Sequence, residues 1–252
     1  MGRVRALALL SMAPLVASSA TGELVLTLAP VRTSINVQNQ PVAIVVSGTV
    51  SGPAVAHDPA PFRLAVTADL SDLQQNITAV LASQLNRSDK CGEHLTIERA
   101  SLVPHAPGAV LTVNLHYEKW SCAKAFGKDI VKRLVGGNGV VEVRLTPVVE
   151  ANRTVRLQSE IGSIQADGSL GELLRSGSLG TTLREKIRST LAAAIEKTNF
   201  EATIPEALQP VAAIHEARFA DEGGRLCLSL TGEVNISAQQ LRTLIDQHKV
   251  SH

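Results

Sequence analysis

Apolar and polar residues alternate along 23–38 (ELVLTLAPVRTSINVQ), 41–50 (PVAIVVSGTV) and 61–68 (PFRLAVTA). A period of two is the mark of a half-buried β-strand, so three strands are predicted here. Between the second and third lies a Pro-rich loop, SGPAVAHDPAP. The period then changes. Leu70, Leu73, Ile77, Val80, Leu81 and Leu85 recur at three and four, which predicts an amphipathic helix that Asp69 or Ser71 can cap. Alternation returns in 94–103 and 109–117 around Pro104-His105-Ala106-Pro107-Gly108, a turn signal, and so predicts a hairpin. Its apolar face is read as Leu95, Ile97 and Val103 with Leu111, Val113, Leu115 and Tyr117.

A short basic helix is expected at about 122–134, striped by Ala123, Phe126, Ile130 and Leu134 and stopped by Gly136-Gly137-Asn138-Gly139. Strands resume at 140–149 and 154–165. GSLG then occurs at 168–171 and again at 177–180, framing a short turn, ELLRS. Leu183, Ile187, Leu191 and Ile195 recur every four residues and predict a second long helix, with Thr181 or Thr182 as cap. A linker carrying Pro205 and Pro210 leads to a second hairpin, 212–219 with 225–234, joined at Asp221-Glu222-Gly223-Gly224. Ser237 and Gln240 form a capping-box pattern ahead of Leu241, Leu244 and Ile245, a short C-terminal helix.

Strands, amphipathic helix and hairpin thus follow one another twice, over about 23–118 and 140–234, a pattern that allows a pseudo-repeat. Many antiparallel strands with two long helices and no regular β-α-β alternation argue for α+β. The expected architecture is a highly curved antiparallel sheet packed around two amphipathic helices, with a small basic helix and a short C-terminal helix. Residues 21–236 form one domain on this reading, and 237–252 the C-terminal helix and tail.

The first twenty residues read differently. Arg3 and Arg5 precede a short apolar stretch, Ala6 to Val16, and Ser18-Ser19-Ala20 supplies the small residues that a signal peptidase accepts. Residues 1–20 are therefore expected to be a secretory signal peptide, and the mature protein to be soluble, periplasmic or secreted. Export permits disulfides, and of Cys91, Cys122 and Cys227 the first two flank the first hairpin. Pairing centred on Ala106 does not bring Cys91 and Cys122 onto one rung. Their bridge must lie beyond the regular ladder, or a bulge must intervene. Cys227, between Leu226 and Leu228, reads as a small buried thiol.

Composition narrows the function classes. Of 252 residues, 44% are hydrophobic and 19% charged, enough for a real core. The net charge of +1 and six aromatics speak against a nucleic-acid binder or an aromatic-platform sugar binder. No G-x-S-x-G, H-E-x-x-H or phosphate-loop motif occurs, so the sequence points away from an enzyme and asks for no cofactor or metal. Cys91-Gly-Glu-His94 lacks further ligands at useful spacing. Asp69 and Asp72 share one helix turn, where helix-start electrostatics explains them more simply than acid–base work. His94 and His116 can meet across the first hairpin, though a solvated strand face is the simpler reading. Three aromatics, Tyr117, Trp120 and Phe126, fall among Lys119, Lys124, Lys128, Lys132 and Arg133. Such a segment is either a capping element with its lysines in water or a peripheral membrane contact made by Trp120, Lys124, Phe126, Lys128 and Lys132.

PFRLAVTADLSDLQQNITAVLASQL, an extended run passing into a striped helix, and AAIHEARFADEGGRLCLSLTGEV, a closing hairpin ending in L-x-L-x-L-x-G, resemble the tubular lipid-binding (TULIP) superfamily in its exported bacterial branch. The two segments cover under a quarter of the chain. The resemblance implies a curved sheet wrapped round a helix, with an apolar groove for acyl chains. On that reading Leu73, Ile77, Val80, Leu81, Leu183, Ile187, Leu191 and Ile195 line the groove. Read from the residues alone, they are core. A bridge between Cys91 and Cys122 would tie a hairpin base, which departs from that family's use of a bridge to pin the sheet to its neighbour. The expectation is a non-catalytic protein binding a lipid or hydrophobic small molecule. The alternative is a structural or assembly module of the cell envelope that binds a protein partner.

Overall fold

The structure is a computed structural model, and it describes residues 15–20, 23–37, 40–53, 60–86, 91–125, 128–197, 202–203 and 211–237. The chain is α+β but mostly antiparallel sheet. In order it forms β1 (Leu15–Ala20), β2 (Glu23–Val37), β3 (Gln40–Pro53), β4 (Ala60–Asp69) and α1 (Ser71–Leu85). Next come β5 (Gly92–His105), β6 (Gly108–Ala125), β7 (Lys128–Glu150) and β8 (Thr154–Ala166). Then follow α2 (Gly168–Arg175), α3 (Gly177–Lys197), β9 (Ala202–Thr203), β10 (Ala212–Glu222) and β11 (Arg225–Ile236).

The strands make two sheets. One runs β1-β2-β3-β4-β11-β10, the other β5-β6-β7-β8-β9. Each closing hairpin joins strands from the other half of the chain: β10–β11 extends the sheet begun by β2, β3 and β4, and β5–β6 pairs through β6 with β7, which in turn pairs with β8. All three helices share one core with both sheets. α1 packs on β3, β5 and β11, α2 on β7 and β8, and α3 on β8 with contacts to both other helices. Alternation fills this core. Val42 and Ile44 of β3, Leu111, Val113 and Leu115 of β6, Val141 and Val143 of β7, and Leu226 and Leu228 of β11 all point inward. No buried polar or charged residue lies among the described residues.

α1 also closes an edge. The Ile97 N–H donates to Asn86 Oδ1 at 2.7 Å and the Ala100 N–H to Thr78 Oγ1 at 2.9 Å. Both amides lie on β5, at the end of its sheet, where unpaired N–H groups would otherwise invite another strand. The helix start is held by the other sheet: the Leu70 N–H donates to Leu226 O at 2.8 Å. Leu70 is the N-cap and offers no side-chain bond. Asp69, one residue earlier, accepts the Ser71 N–H at 2.8 Å instead, and Ser71 is the first helical residue.

Several expectations need correction. The basic helix at about 122–134 does not form: these residues end β6 and begin β7, paired from Trp120–Arg133 to Ala125–Lys128. Non-local pairing overrides the helical spacing of Ala123, Ile130 and Leu134, and β-branched Ile130 and Val131 suit a strand. The Gly136-Gly137-Asn138-Gly139 run therefore stops no helix; it continues β7. Gly137 is needed there for close approach, because a Cβ would come within 2.8 Å of Asp167 O at the start of α2. Of the expected ELLRS turn, residues 172–175 belong to α2, a helix in its own right, and Ser176 is its C-cap. Thr181 and Thr182 lie inside α3 and not at its cap, their hydroxyls donating to Gly177 O and Ser178 O. On β5 the buried face runs through Ile97, Ala100 and Leu102, and Val103 is 54% exposed. A bulge between Ile97 and Arg99 causes this, since one extra residue exchanges the faces of everything beyond it. Leu95 is only partly buried, whereas Leu111, Val113, Leu115 and Tyr117 are buried as expected. The C-terminal helix, Pro205 and Pro210 fall outside the described residues, apart from Ser237.

Candidate functional site

Three features bear on function: the interior held by the helices, the far end of the β6–β7 hairpin, and a polar row at that hairpin's base. In the interior, Ile77, Val80 and Leu81 of α1 and Leu183, Ile187, Leu191 and Ile195 of α3 are all buried. Leu73 is half-buried against the same core. The two stripes thus meet one apolar interior that also takes side chains from both sheets. The apolar surface of each helix dictates this, since neither stripe can remain in water without loss of the hydrophobic contribution.

The hairpin end is built differently. β5 reaches only as far as Gly92, paired with Trp120. Beyond that rung, β6 and β7 pair with each other alone. Cys91 and Cys122 are joined by a disulfide at this point, with their Cα atoms 5.8 Å apart. The bridge lies past the last rung, one of the two alternatives expected. The bulge in β5 does not align the cysteines, because the hairpin turns between Ala106 and Pro107 and the bulge shifts the ladder away from the register that would put Cys91 opposite Cys122. Of the membrane-contact candidates, Trp120 is half-buried and Lys124 and Lys132 are exposed. Lys128 begins β7, and Phe126 lies outside the described residues. The structure brings Trp120, Lys124, Lys128 and Lys132 to one strand hairpin and not to one helix face.

The polar row was not legible in the sequence. His116, Glu118 and Trp120 share the face of β6 opposite to buried Leu115 and Tyr117. Glu118 accepts the Trp120 indole N–H at 2.9 Å and an Arg133 guanidinium N–H at 3.0 Å, and His116 Nε2 lies 3.3 Å away. His116 Nδ1 is 2.6 Å from Asn138 Oδ1, its rung partner on β7. The Trp120 and Arg133 hydrogen bonds, with His116 behind them, hold the Glu118 carboxyl down at about 2. The Asn138 bond raises His116, partial burial opposes this, and Glu118 adds to the rise. His94 sits across from Glu118, not from His116. Among the described residues no group of three or more His, Cys, Asp or Glu is placed to hold a metal ion.

Asp69 and Asp72 both have structural partners. Burial opposes ionisation of Asp69, but the Ser71 N–H and hydroxyl and the Arg225 guanidinium outweigh it, so its pKa falls. Asp72 Oδ2 accepts the Ala43 N–H of β3 at 2.7 Å. Cys227 is a buried free thiol, and burial, with Glu222 and Asp69 nearby, pushes it up to about 11. An open groove of about 370 Å³ crosses β3, β4, β11 and β10, with Arg63, His215 and Glu233 among its lining. None of the expected lining residues of α1 or α3 borders it.

No family model matches the chain, and neither a curated protein nor a solved structure is significantly similar to it.

Proposed function

We propose that this chain is an exported, non-catalytic carrier of a lipid or other hydrophobic ligand, held against the stripes of α1 and α3. One observation carries the reading: both stripes turn into a single interior, walled by both sheets, with no buried polar or charged residue among the described residues. The apolar side chains of this interior would give an alkyl chain dispersion contacts like those they make with one another, while the Gln84 amide of α1 and His94 Nε2 of β5 are buried without a hydrogen-bond partner. The TULIP-like order of elements supports the same reading, with Leu73, Ile77, Val80, Leu81, Leu183, Ile187, Leu191 and Ile195 as the lining. The Cys91–Cys122 bridge is compatible with an oxidising compartment beyond a signal peptidase.

The second reading, an envelope assembly module, draws on a different observation. β1 ends at Ala20, the expected cleavage point, and covers the side of Glu23–Leu28 of β2 that β3 does not pair with. Cleavage would open that edge to a partner's strand. Native mass spectrometry of protein purified from its own envelope separates the two. The carrier reading expects a lipid-sized adduct that is lost when Val80 and Ile187 are both replaced by Phe in a protein that still unfolds cooperatively. A bare mass, together with no uptake of a fluorescent fatty acid, overturns it. A stoichiometric protein partner in place of lipid supports the assembly module.

A further inference from the structure

The polar side chains with which α1 meets the sheets have partners, with one exception. Gln74 accepts the Leu226 N–H at 3.1 Å and donates to Gly224 O at 3.1 Å. Thr78 bonds both the N–H and the carbonyl of Ala100, and Asn86 accepts the Ile97 N–H. Each of these groups fixes the helix against a strand or its turn. Gln84 does not. Its amide nitrogen and oxygen are both buried, and neither has a hydrogen-bond partner. The residue as a whole is half-buried, so what exposure it has belongs to its stem or backbone and not to its amide. A long polar side chain at an apolar surface usually does the reverse, laying its methylenes along that surface and carrying its polar end out to water.

Helix geometry fixes where the amide goes. Gln84 follows Ile77 by seven residues, Val80 by four and Leu81 by three, so it belongs to the same face. Val80 and Leu81 are 0% and 1% exposed and belong to the shared core, so the Gln84 amide enters the interior at the last turn of α1. His94 lies on the rung of Glu118, on the face of β5 away from Leu95, and its unpartnered Nε2 takes no part. An amide left unpaired among apolar groups forfeits the bonds it makes to water, and a group that supplies them recovers the loss. Gln84 offers an acceptor oxygen and two donor hydrogens. A bare hydrocarbon satisfies neither atom, and an ester, which only accepts, satisfies the nitrogen alone. A neutral head that presents a donor beside an acceptor satisfies both. We propose that Gln84 is the polar anchor of the interior and receives the head of an acyl-chain ligand that ends in such a donor–acceptor pair, a carboxamide. This role rests on the carrier reading: the acyl chain lies against the apolar stripes, and its head stops at the last turn of α1.

The test uses the full disulfide-bonded chain and the dye diphenylhexatriene, which has no hydrogen-bonding group and so reports the apolar interior alone. Dodecanamide and methyl dodecanoate, equal in acyl chain, are titrated as competitors. The dye is expected to bind the parent chain and Gln84→Met equally, because methionine keeps an unbranched, apolar stem and removes only the amide. The preference for dodecanamide over methyl dodecanoate is expected to fall about tenfold or more in Gln84→Met. Without ligand, Gln84→Met is expected to melt no lower than the parent, since an unpaired amide has left the interior. An unchanged preference with the dye still bound overturns the anchor and leaves the carrier reading standing; an amide that holds only a buried water gives this result. A lower melting midpoint for Gln84→Met also overturns the anchor, because the amide then has a partner within the fold. Failure of the parent chain to bind the dye overturns the anchor and the carrier reading together.

Discussion

Glu118 is a half-buried carboxylate whose hydrogen-bond partners outweigh the cost of its burial and favour its charge. The Trp120 N–H and the Arg133 guanidinium donate to it, with His116 beyond, and together they hold it at about 2, well below its ordinary 4.5. A folded-state value below the unfolded one contributes stability above the unfolded pKa, and that contribution is lost as pH falls through the folded value. The window for Glu118 is therefore about 4.5 down to 2. His116 has the opposite sign. Asn138 chiefly raises it and Glu118 assists, so its contribution is complete below 6.5 and is lost as pH rises through the raised value. Glu118→Gln is expected to act on both. The histidine pKa, followed by the imidazole proton shifts, should fall back toward 6.5, and the part of the acid-side stability loss that belongs to Glu118 should vanish from denaturant titrations between pH 4.5 and 2. An unmoved His116 titration would show that the two groups do not interact in solution.

At the scale of the element, β5 turns on a single extra residue. The bulge between Ile97 and Arg99 puts Leu102 inside, 4% exposed, and Val103 outside, 54% exposed. Leu102→Ala is expected to cost about 2–5 kcal/mol in urea unfolding, a buried leucine leaving a cavity. Val103→Ala is expected to stay within about 0.5 kcal/mol, a surface change. The reverse ranking would place the bulge elsewhere. Strict alternation along 94–103 favours the wrong face because a bulge has no local signature here: what stabilises it, the Asn86 and Thr78 side chains accepting the Ile97 and Ala100 N–H groups, comes from α1. α1 and α3 were legible because a helix stripe is written in neighbours three and four apart, and so was the β10–β11 hairpin with its Gly223-Gly224 turn. Residues 122–134 misled because Ala123, Ile130 and Leu134 satisfy helical spacing while their strand partners are fixed only by pairing. The candidate site divides the same way. The buried stripes and the basic, apolar character of the hairpin end could be read from residue types. The Glu118 network could not, because Arg133 and Asn138 reach it and His116 across 15 and 22 residues.

At the scale of the molecule, the exchange of hairpins decides how the chain unfolds. β10–β11 closes the sheet of β2–β4, and β5–β6 lies against β7. Neither half of the chain therefore owns a complete sheet, and both sheets share one core with all three helices. Contacts this far apart in sequence cost loop-closure entropy before they return stability, so partial structures gain little and the two sheets should be lost together. Cys227 tests this from inside. It lies on β11 opposite Asp69 of β4, is fully buried, and has a thiol pushed up to about 11 by that burial first of all. With the Cys91–Cys122 bridge intact and no reductant present, Cys227 is the one thiol available to a reactive dye. Its labelling across a urea series should follow the loss of far-ultraviolet dichroism with one midpoint. Leu111→Ala, on β6 in the opposite sheet and 1% exposed, should lower both midpoints equally, by about 2–5 kcal/mol of stability. Labelling at urea concentrations where the dichroism is still native would mean that the sheet carrying β11 opens on its own, and the shared core would then not couple the two halves.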